Sequence, residues 1–247
     1  MIPKIIHYCW FGKKRKPALV KECIRSWKEK LPEYKIQCWN EKNAPLDHPF
    51  VKAALKERYF AFAADYVRLY ALSQQGGIYF DTDVMVIKSF DPLLKYDFFL
   101  GEELPGRINL AVAGAVPKHP LIARFLQYYD ENKFDPAKPP IISTCLTDVF
   151  NEVKQELLGA NDMVFNTDYF YPLPYDKKFE DYKTYVNSHT YAAHLWNHSW
   201  RTEIQYIEEK EYVLAFKKTI EHLTHNKSDR FNKAYYKNLL RKVKSSL

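Results

Sequence analysis

At 247 residues, with 47% hydrophobic side chains, the chain has room for one sizeable domain with a real core. Seven glycines and the lack of any repeat period exclude fibrous and solenoid architectures. The formal charge of +7 is uneven. Residues 212–247 hold nine Lys/Arg against two acids, so the whole excess sits there and the remaining body is near neutral. The 16% aromatic share suits either an aromatic core or stacking on bases and sugars.

In chain order, residues 4–10 (KIIHYCW) predict a strand. Gly12 and the basic run Lys13 to Lys16 form a loop, and Pro17 opens an amphipathic helix to about Lys30 with Leu19, Cys23 and Trp27 on one stripe. Residues 34–39 predict a second strand, and this β-α-β order points to a parallel sheet. Helices follow over about 49–58 and 60–75, the second stopped by Gly76-Gly77. Residues 78–81 read as a central buried strand, 84–87 as a short extended piece, and Asp91-Pro92 as a turn. Strands are expected at 98–100 and 110–116 and helices at 119–132 and 143–158. Residues 164–173 and 185–196 are expected to be mostly extended, 203–225 to be one helix, and 231–244 to be a second, basic one.

The four cysteines, Cys9, Cys23, Cys38 and Cys145, show no C-x-x-C spacing and sit among apolar residues. They read as reduced core residues, which favours the cytosol. The first residues, MIPKIIHYCWFG, do not read as a signal peptide, and no apolar run approaches membrane-spanning length.

The chemistry concentrates in AFAADYVRLYALSQQGGIYFDTDV, residues 61–84. Asp81 and Asp83 are two apart at a strand end, so both carboxylates face one side and can reach one hard cation. Mg²⁺ or Mn²⁺ suits oxygen ligands and a diphosphate, whose leaving charge it would neutralise. By itself D-x-D describes many solvated turns; the buried strand and the helix before it set this one apart. Asp65 and Arg68 lie one turn apart on that mostly apolar helix, where free charge is expensive. Arg68 suits phosphate or a carboxylate, and Asp65 can accept sugar hydroxyls. Trp10, at a strand end, can stack on a base or lie in the core. Late in the chain, HLWNHSW offers His194 or His198 as a further metal ligand, with His198, Ser199 and Trp200 as donors to diphosphate oxygens. Spacing alone leaves the choice between the two histidines open. Glu102, Glu103, Asn109 and Asp148 are candidates near donor or acceptor.

IPKIIHYCWFG, AADYVRLYALSQQGGIYFDTDV and AAHLWNHSW together resemble glycosyltransferase family 32, the group with a DXD-containing sugar-binding region, and within it the bacterial capsular and exopolysaccharide branch. The resemblance is close over residues 2–92 and again over 191–200. It implies a GT-A type α/β fold: a Rossmann-like mixed sheet flanked by helices, here with a basic helical extension. Residues 1–202 would form the catalytic domain and 203–247 the extension, packed on or adjoining it. The resemblance also implies a nucleotide-sugar donor, a Mn²⁺-type metal and retention of anomeric configuration. Carried over, Trp10 stacks on the base, Asp65 and Arg68 hold the donor sugar, and Asp81 touches ribose or metal-bound water. Asp83 ligates the metal directly and His194 is the late ligand. Ser199 and Trp200, with His198, lie on the diphosphate.

The expectation is therefore a metal-dependent retaining hexosyltransferase, with UDP-galactose or UDP-glucose ahead of GDP-mannose. Its acceptor would be a glycan or lipid-linked oligosaccharide in polysaccharide biosynthesis, with Glu102, Asn109 and Asp148 on the acceptor side. No nucleic-acid partner is expected. The basic C-terminal helices suit contact with an anionic membrane, which would put the protein in the cytoplasm or at the inner face of the cell membrane. Two rivals predict different behaviour. A nucleotidyltransferase or sugar-nucleotide hydrolase would not transfer sugar, and the former usually has a glycine-rich triphosphate loop where this chain has Gly12 alone. A binding module working through the tail would survive loss of Asp83.

Overall fold

The computed structural model describes residues 1–136, 138–197, 206–207, 210–225, 237, 239–241 and 243. Strands β1 (Ile5–Cys9), β2 (Lys35–Trp39), β3 (Gly77–Phe80), β5 (Phe98–Leu104), β6 (Arg107–Ala115) and β7 (Asp162–Phe165) form one sheet in the order β2-β1-β3-β6-β5-β7. A second, two-stranded sheet pairs β4 (Val84–Val86) with β8 (Ala192–His194). The pair β1–β2 is parallel, as the β-α-β order requires, and so is β1–β3. β6 runs antiparallel to both β3 and β5, which makes the sheet mixed. The expected α/β class, a mixed sheet flanked by helices, is what the chain adopts.

Side chains alternate across the sheet, so it has two apolar faces. Tyr79, Phe98 and Leu100 point into one core with helices α2 (Pro49–Lys56), α3 (Phe60–Gln75), α4 (Pro120–Glu131) and α5 (Ile142–Leu157). Ile78, Phe80 and Phe99 point into the other, with Cys23 and Trp27 of helix α1 (Ala18–Lys30) and with β4. Trp27 fixes this second layer: its indole N–H donates to the Val84 carbonyl at 2.8 Å, and Ser26 Oγ accepts the Val86 N–H at 3.0 Å.

The turn from α3 into β3 needs its glycines. Gly76 and Gly77 have φ of +62° and +104°, and a Cβ at 77 would stand 2.6 Å from the Ile5 carbonyl oxygen. His7, fully buried, locks the turn. Trp39 donates its indole N–H to His7 Nδ1 at 3.1 Å, so the ring proton sits on Nε2 and is donated to the Gly76 carbonyl at 2.8 Å.

Three segments differ from the sequence reading. Residues 164–173 are not continuous extended chain. β7 ends at Phe165, and Asn166 caps a short helix, α6 (Thr167–Phe170), by accepting the Asp168 N–H. Of residues 185–196 only β8 is strand; Asp181 caps a 3₁₀ turn at Tyr182–Tyr185, and Asn187 and Thr190 close another turn. The helix expected over 203–225 is interrupted. Lys210 takes φ +60°, its N–H reaches the Ile207 carbonyl, and the Glu211 N–H reaches Tyr206, which is a Schellman ending; α7 (Tyr212–His225) then begins anew. Of the basic helix expected over 231–244, residues 237, 239–241 and 243 are helical and the others lie outside the described residues.

Burial lowers His7 from 6.5 to about 4, against the help of the Gly76 carbonyl. The unfolded chain takes up a proton at His7 first, so stability present above pH 6.5 is lost as pH falls towards 4. The fold is expected to lose about 2 kcal/mol between pH 7 and pH 5 from this group. Urea titrations at both pH values should show most of that difference disappearing in His7→Gln.

Candidate active site

The carboxyl ends of β1 and β3 lie at one edge of the sheet because the two strands are parallel, and ligands bind at such edges in open α/β sheets. Trp10 follows β1 there, and Asp81 follows β3, where its N–H donates to the Ala111 carbonyl at 2.8 Å. The antiparallel partners bring Asn109 and Leu110 at the start of β6 and Glu102 and Glu103 at the end of β5 to the same edge.

Arg68 joins helix to edge. It is 4% exposed on α3, a helix buried nearly all round. Its Nη2 lies 2.6 Å from Asp65 Oδ1 and 3.2 Å from Asp81 Oδ1, while Nη1 donates to the Leu110 carbonyl at 3.0 Å. The guanidinium also stacks on Tyr79, 4.7 Å from the ring centroid, and the Tyr79 hydroxyl donates to Asp81 Oδ1 at 3.0 Å. Burial pushes the Asp65 carboxyl up to about 7, against the pull of Arg68.

Asp83 turns towards the small sheet. His194 pairs with Val84 across β4–β8, which puts its Nε2 3.3 Å from Asp83 Oδ1. The Asn197 N–H donates to the other carboxylate oxygen at 2.7 Å. Burial opposes ionisation of Asp83, but His194 and this N–H hold it at about 2. Burial likewise opposes the charge on His194, and the Asp83 carboxylate outweighs it, so the imidazole pKa is raised. Tyr171 and Trp196 pack edge-on against the imidazole and fix its plane.

Asp81, Asp83 and His194 each offer a ligand atom, all within 4.8 Å of one another; this is the one such cluster among the described residues. Two carboxylates and an imidazole suit Mn²⁺ well and Mg²⁺ through its oxygens. The fit has a second sign: His194 Nδ1 is buried without a hydrogen-bond partner among the described residues, so the ring is not committed to a protein network on both nitrogens. A cation here would displace the imidazole proton.

The other expected residues divide. His194 is in the cluster; His198, Ser199 and Trp200 lie outside the described residues. Trp10 offers its ring faces rather than its N–H, which donates to the Lys14 carbonyl at 2.8 Å, and Lys16 sits 5.4 Å from the ring centroid. Asn109 is buried at the edge, its amide N–H on Glu103 and its oxygen accepting the Ala111 N–H. Glu102 accepts the Gly106 N–H and so closes the β5–β6 hairpin. Asp148 is exposed on α5, and its described electrostatic partner is Tyr128 of α4. The sequence reading passed over Tyr79, although it precedes Asp81 by two on the same strand and so shares its side. It also missed Tyr171, whose hydroxyl bridges the Asn109 carbonyl and the Val112 N–H, because nothing local marks that role.

Residues 17–100 match the family model for a glycosyltransferase sugar-binding region containing a DXD motif, a stretch that includes Asp65, Arg68, Asp81 and Asp83. Over 144 residues the chain is 31% identical to mannosyl phosphorylinositol ceramide synthase SUR1 of Saccharomyces cerevisiae, covering 55% of this chain and 37% of that protein. It is 31% identical over 134 residues to inositol phosphoceramide mannosyltransferase 3 of Schizosaccharomyces pombe, covering 51% and 36%. With human alpha-1,4-N-acetylglucosaminyltransferase it shares 25% over 161 residues, covering 60% and 46%. The chain thus spans less than half the length of these curated relatives. They are fungal and human, where the sequence reading expected the bacterial polysaccharide branch. Among solved structures, the PaToxG glycosyltransferase aligns with a TM-score of 0.47 at 20% identity, over 64% of this chain and 73% of that one. The galactosyltransferase LgtC aligns at 0.38 and 14%, over 87% and 96%.

Removing Arg68 strands Asp65 in the core. Arg68→Leu is expected to cost about 3–5 kcal/mol, and Asp65→Leu/Arg68→Leu distinctly less, because breaking a buried pair costs more than replacing it. Urea unfolding of wild type, both single variants and the double variant gives the coupling; a double-variant loss equal to the sum of the two single losses would show that the pair is not coupled.

Proposed function

We propose that the chain is a metal-dependent glycosyltransferase of GT-A type that moves a hexosyl group, with retention, from a nucleotide sugar. The observation that carries this reading is the convergence of Asp81, Asp83 and His194 at the sheet edge, braced through Asp81 by Arg68 and Asp65. The match of residues 17–100 to the DXD sugar-binding model supports it independently.

In this reading Asp83, Asp81 and His194 hold a divalent cation, Mn²⁺ or Mg²⁺. When bound, that ion supplies positive charge against the diphosphate of the donor. Trp10 offers a ring face to the base. Asp65 accepts donor-sugar hydroxyls at its free oxygen, while Arg68 keeps both Asp65 and Asp81 in place. His198, Ser199 and Trp200 are proposed donors to the diphosphate oxygens. The glycosidic C–O bond to the diphosphate breaks, the acceptor oxygen bonds to the anomeric carbon on the same face, and the acceptor proton passes to a phosphate oxygen. Asn109, with Glu103 holding its amide, lines the acceptor side.

The donor is a hexose nucleotide. The names of the fungal relatives bring GDP-mannose level with the UDP-hexoses, and they favour a lipid-linked acceptor over a free glycan. Such an acceptor would place the enzyme at a membrane surface, and the unpaired state of Cys9, Cys23, Cys38 and Cys145 supports its reducing, cytoplasmic side. Residues 1–202 are proposed as the catalytic body. Residues 203–247 would be an appendage, supported by a separate apolar cluster of Ile207, Ala215 and Leu239 and tied back by Lys178–Glu211 at 2.5 Å.

Nucleoside diphosphate release from a panel of UDP- and GDP-sugars tests this. Slow release from one donor with Mn²⁺ is expected, with loss in EDTA and at least a hundredfold loss in Asp83→Ala, the scale of removing a metal or charge-stabilising group. Folded wild-type protein that neither binds nor turns over any donor would overturn the reading.

A further inference from the structure

Helix α7 presents a surface that the catalytic reading does not use. Its inner face packs Tyr212 and Ala215 on Ile207 and Leu239. Val213, Phe216 and Lys217 are spaced three and four apart and so share the opposite face. Val213 is 68% and Phe216 66% exposed, and Lys217 is exposed beside them. Residues 212–220 contain no acid, and Glu211 just ahead is taken by Lys178. The helical residues further on repeat the division. Leu239 is buried, while Lys237, Leu240 and Arg241, again three and four apart, are exposed.

Large apolar side chains beside exposed cations select one kind of partner. A second copy of the chain would set nine basic residues against nine others with two acids on each side to offset them. A nucleic-acid backbone would leave Phe216 and Val213 without an apolar partner. A bilayer with anionic headgroups satisfies both, with acyl chains for the apolar residues and phosphates for the cations. We propose that α7 is an interfacial anchor. Val213 and Phe216 enter the acyl boundary of an anionic membrane, and Lys217, Lys237 and Arg241 lie at the headgroup phosphates.

Vesicle co-sedimentation of the full chain tests this without any substrate, so its outcome and that of the transferase reading are independent. Vesicles of phosphatidylcholine with added phosphatidylglycerol are expected to bind the protein, pure phosphatidylcholine vesicles poorly, and high salt to weaken the binding. Val213→Ser/Phe216→Ser, with an unchanged melting temperature, should lose roughly tenfold or more in partition, because both signals are needed for a stable surface attachment. A wild-type protein that ignores anionic vesicles would overturn the proposal. So would undiminished binding by the double variant, or light scattering that shows a dimer abolished by the same substitutions.

Discussion

One buried guanidinium organises this molecule. Arg68 bonds to Asp65 on its own helix, to Asp81 beyond the central strand and to the Leu110 carbonyl on the neighbouring strand. A charge so deep is tolerable because both Nη groups are paired and the Tyr79 ring covers one face, although its Nε has no partner among the described residues. The same bonds that make the burial tolerable fix the carboxylate of Asp81. Stability and chemistry here rest on the same contacts, so a change that loosens one loosens the other.

The backbone around Arg68 delivers it to the right place. α3 can be buried on all sides because sheet and helices surround it, and its two glycines then turn the chain straight into β3. His7 holds that turn from the side as a neutral ring, donating to one backbone group and accepting from one indole. On the far face Trp27 anchors β4, and through β4 the position of Asp83. Two aromatic residues that no ligand would touch thus set the distance between two acids that a cation would bridge.

Much of this was legible in the chain. The parallel start, the helix over residues 60–75, the buried strand and the acidic pair follow from periodicity and from turn chemistry at Gly76-Gly77. Legibility ended where long-range contact replaced local pattern. Residues 164–173 and 185–196 look extended because they are aromatic and β-branched, but Asn166, Asp181 and Asn187 cap turns there. The break at Lys210 escaped because no glycine marks it. Asp148 marks the same limit, because an acid on a helix surface looks the same in sequence whether it faces a site or solvent. The placing of His194 beside Asp83 could not come from spacing; it required knowing that residue 194 stands opposite Val84.

The β4–β8 pair has one more consequence. The backbone N–H that holds Asp83 belongs to Asn197, 114 residues later. Residues that would clasp a cation are therefore more than a hundred positions apart in the chain, and the clasp closes only after everything between them has condensed. Long-range closures of this kind form late and slowly. An ion captured there would act on the whole chain as a buckle does on a strap, favouring the closed state by mass action and opposing any opening that lets the late segment peel away.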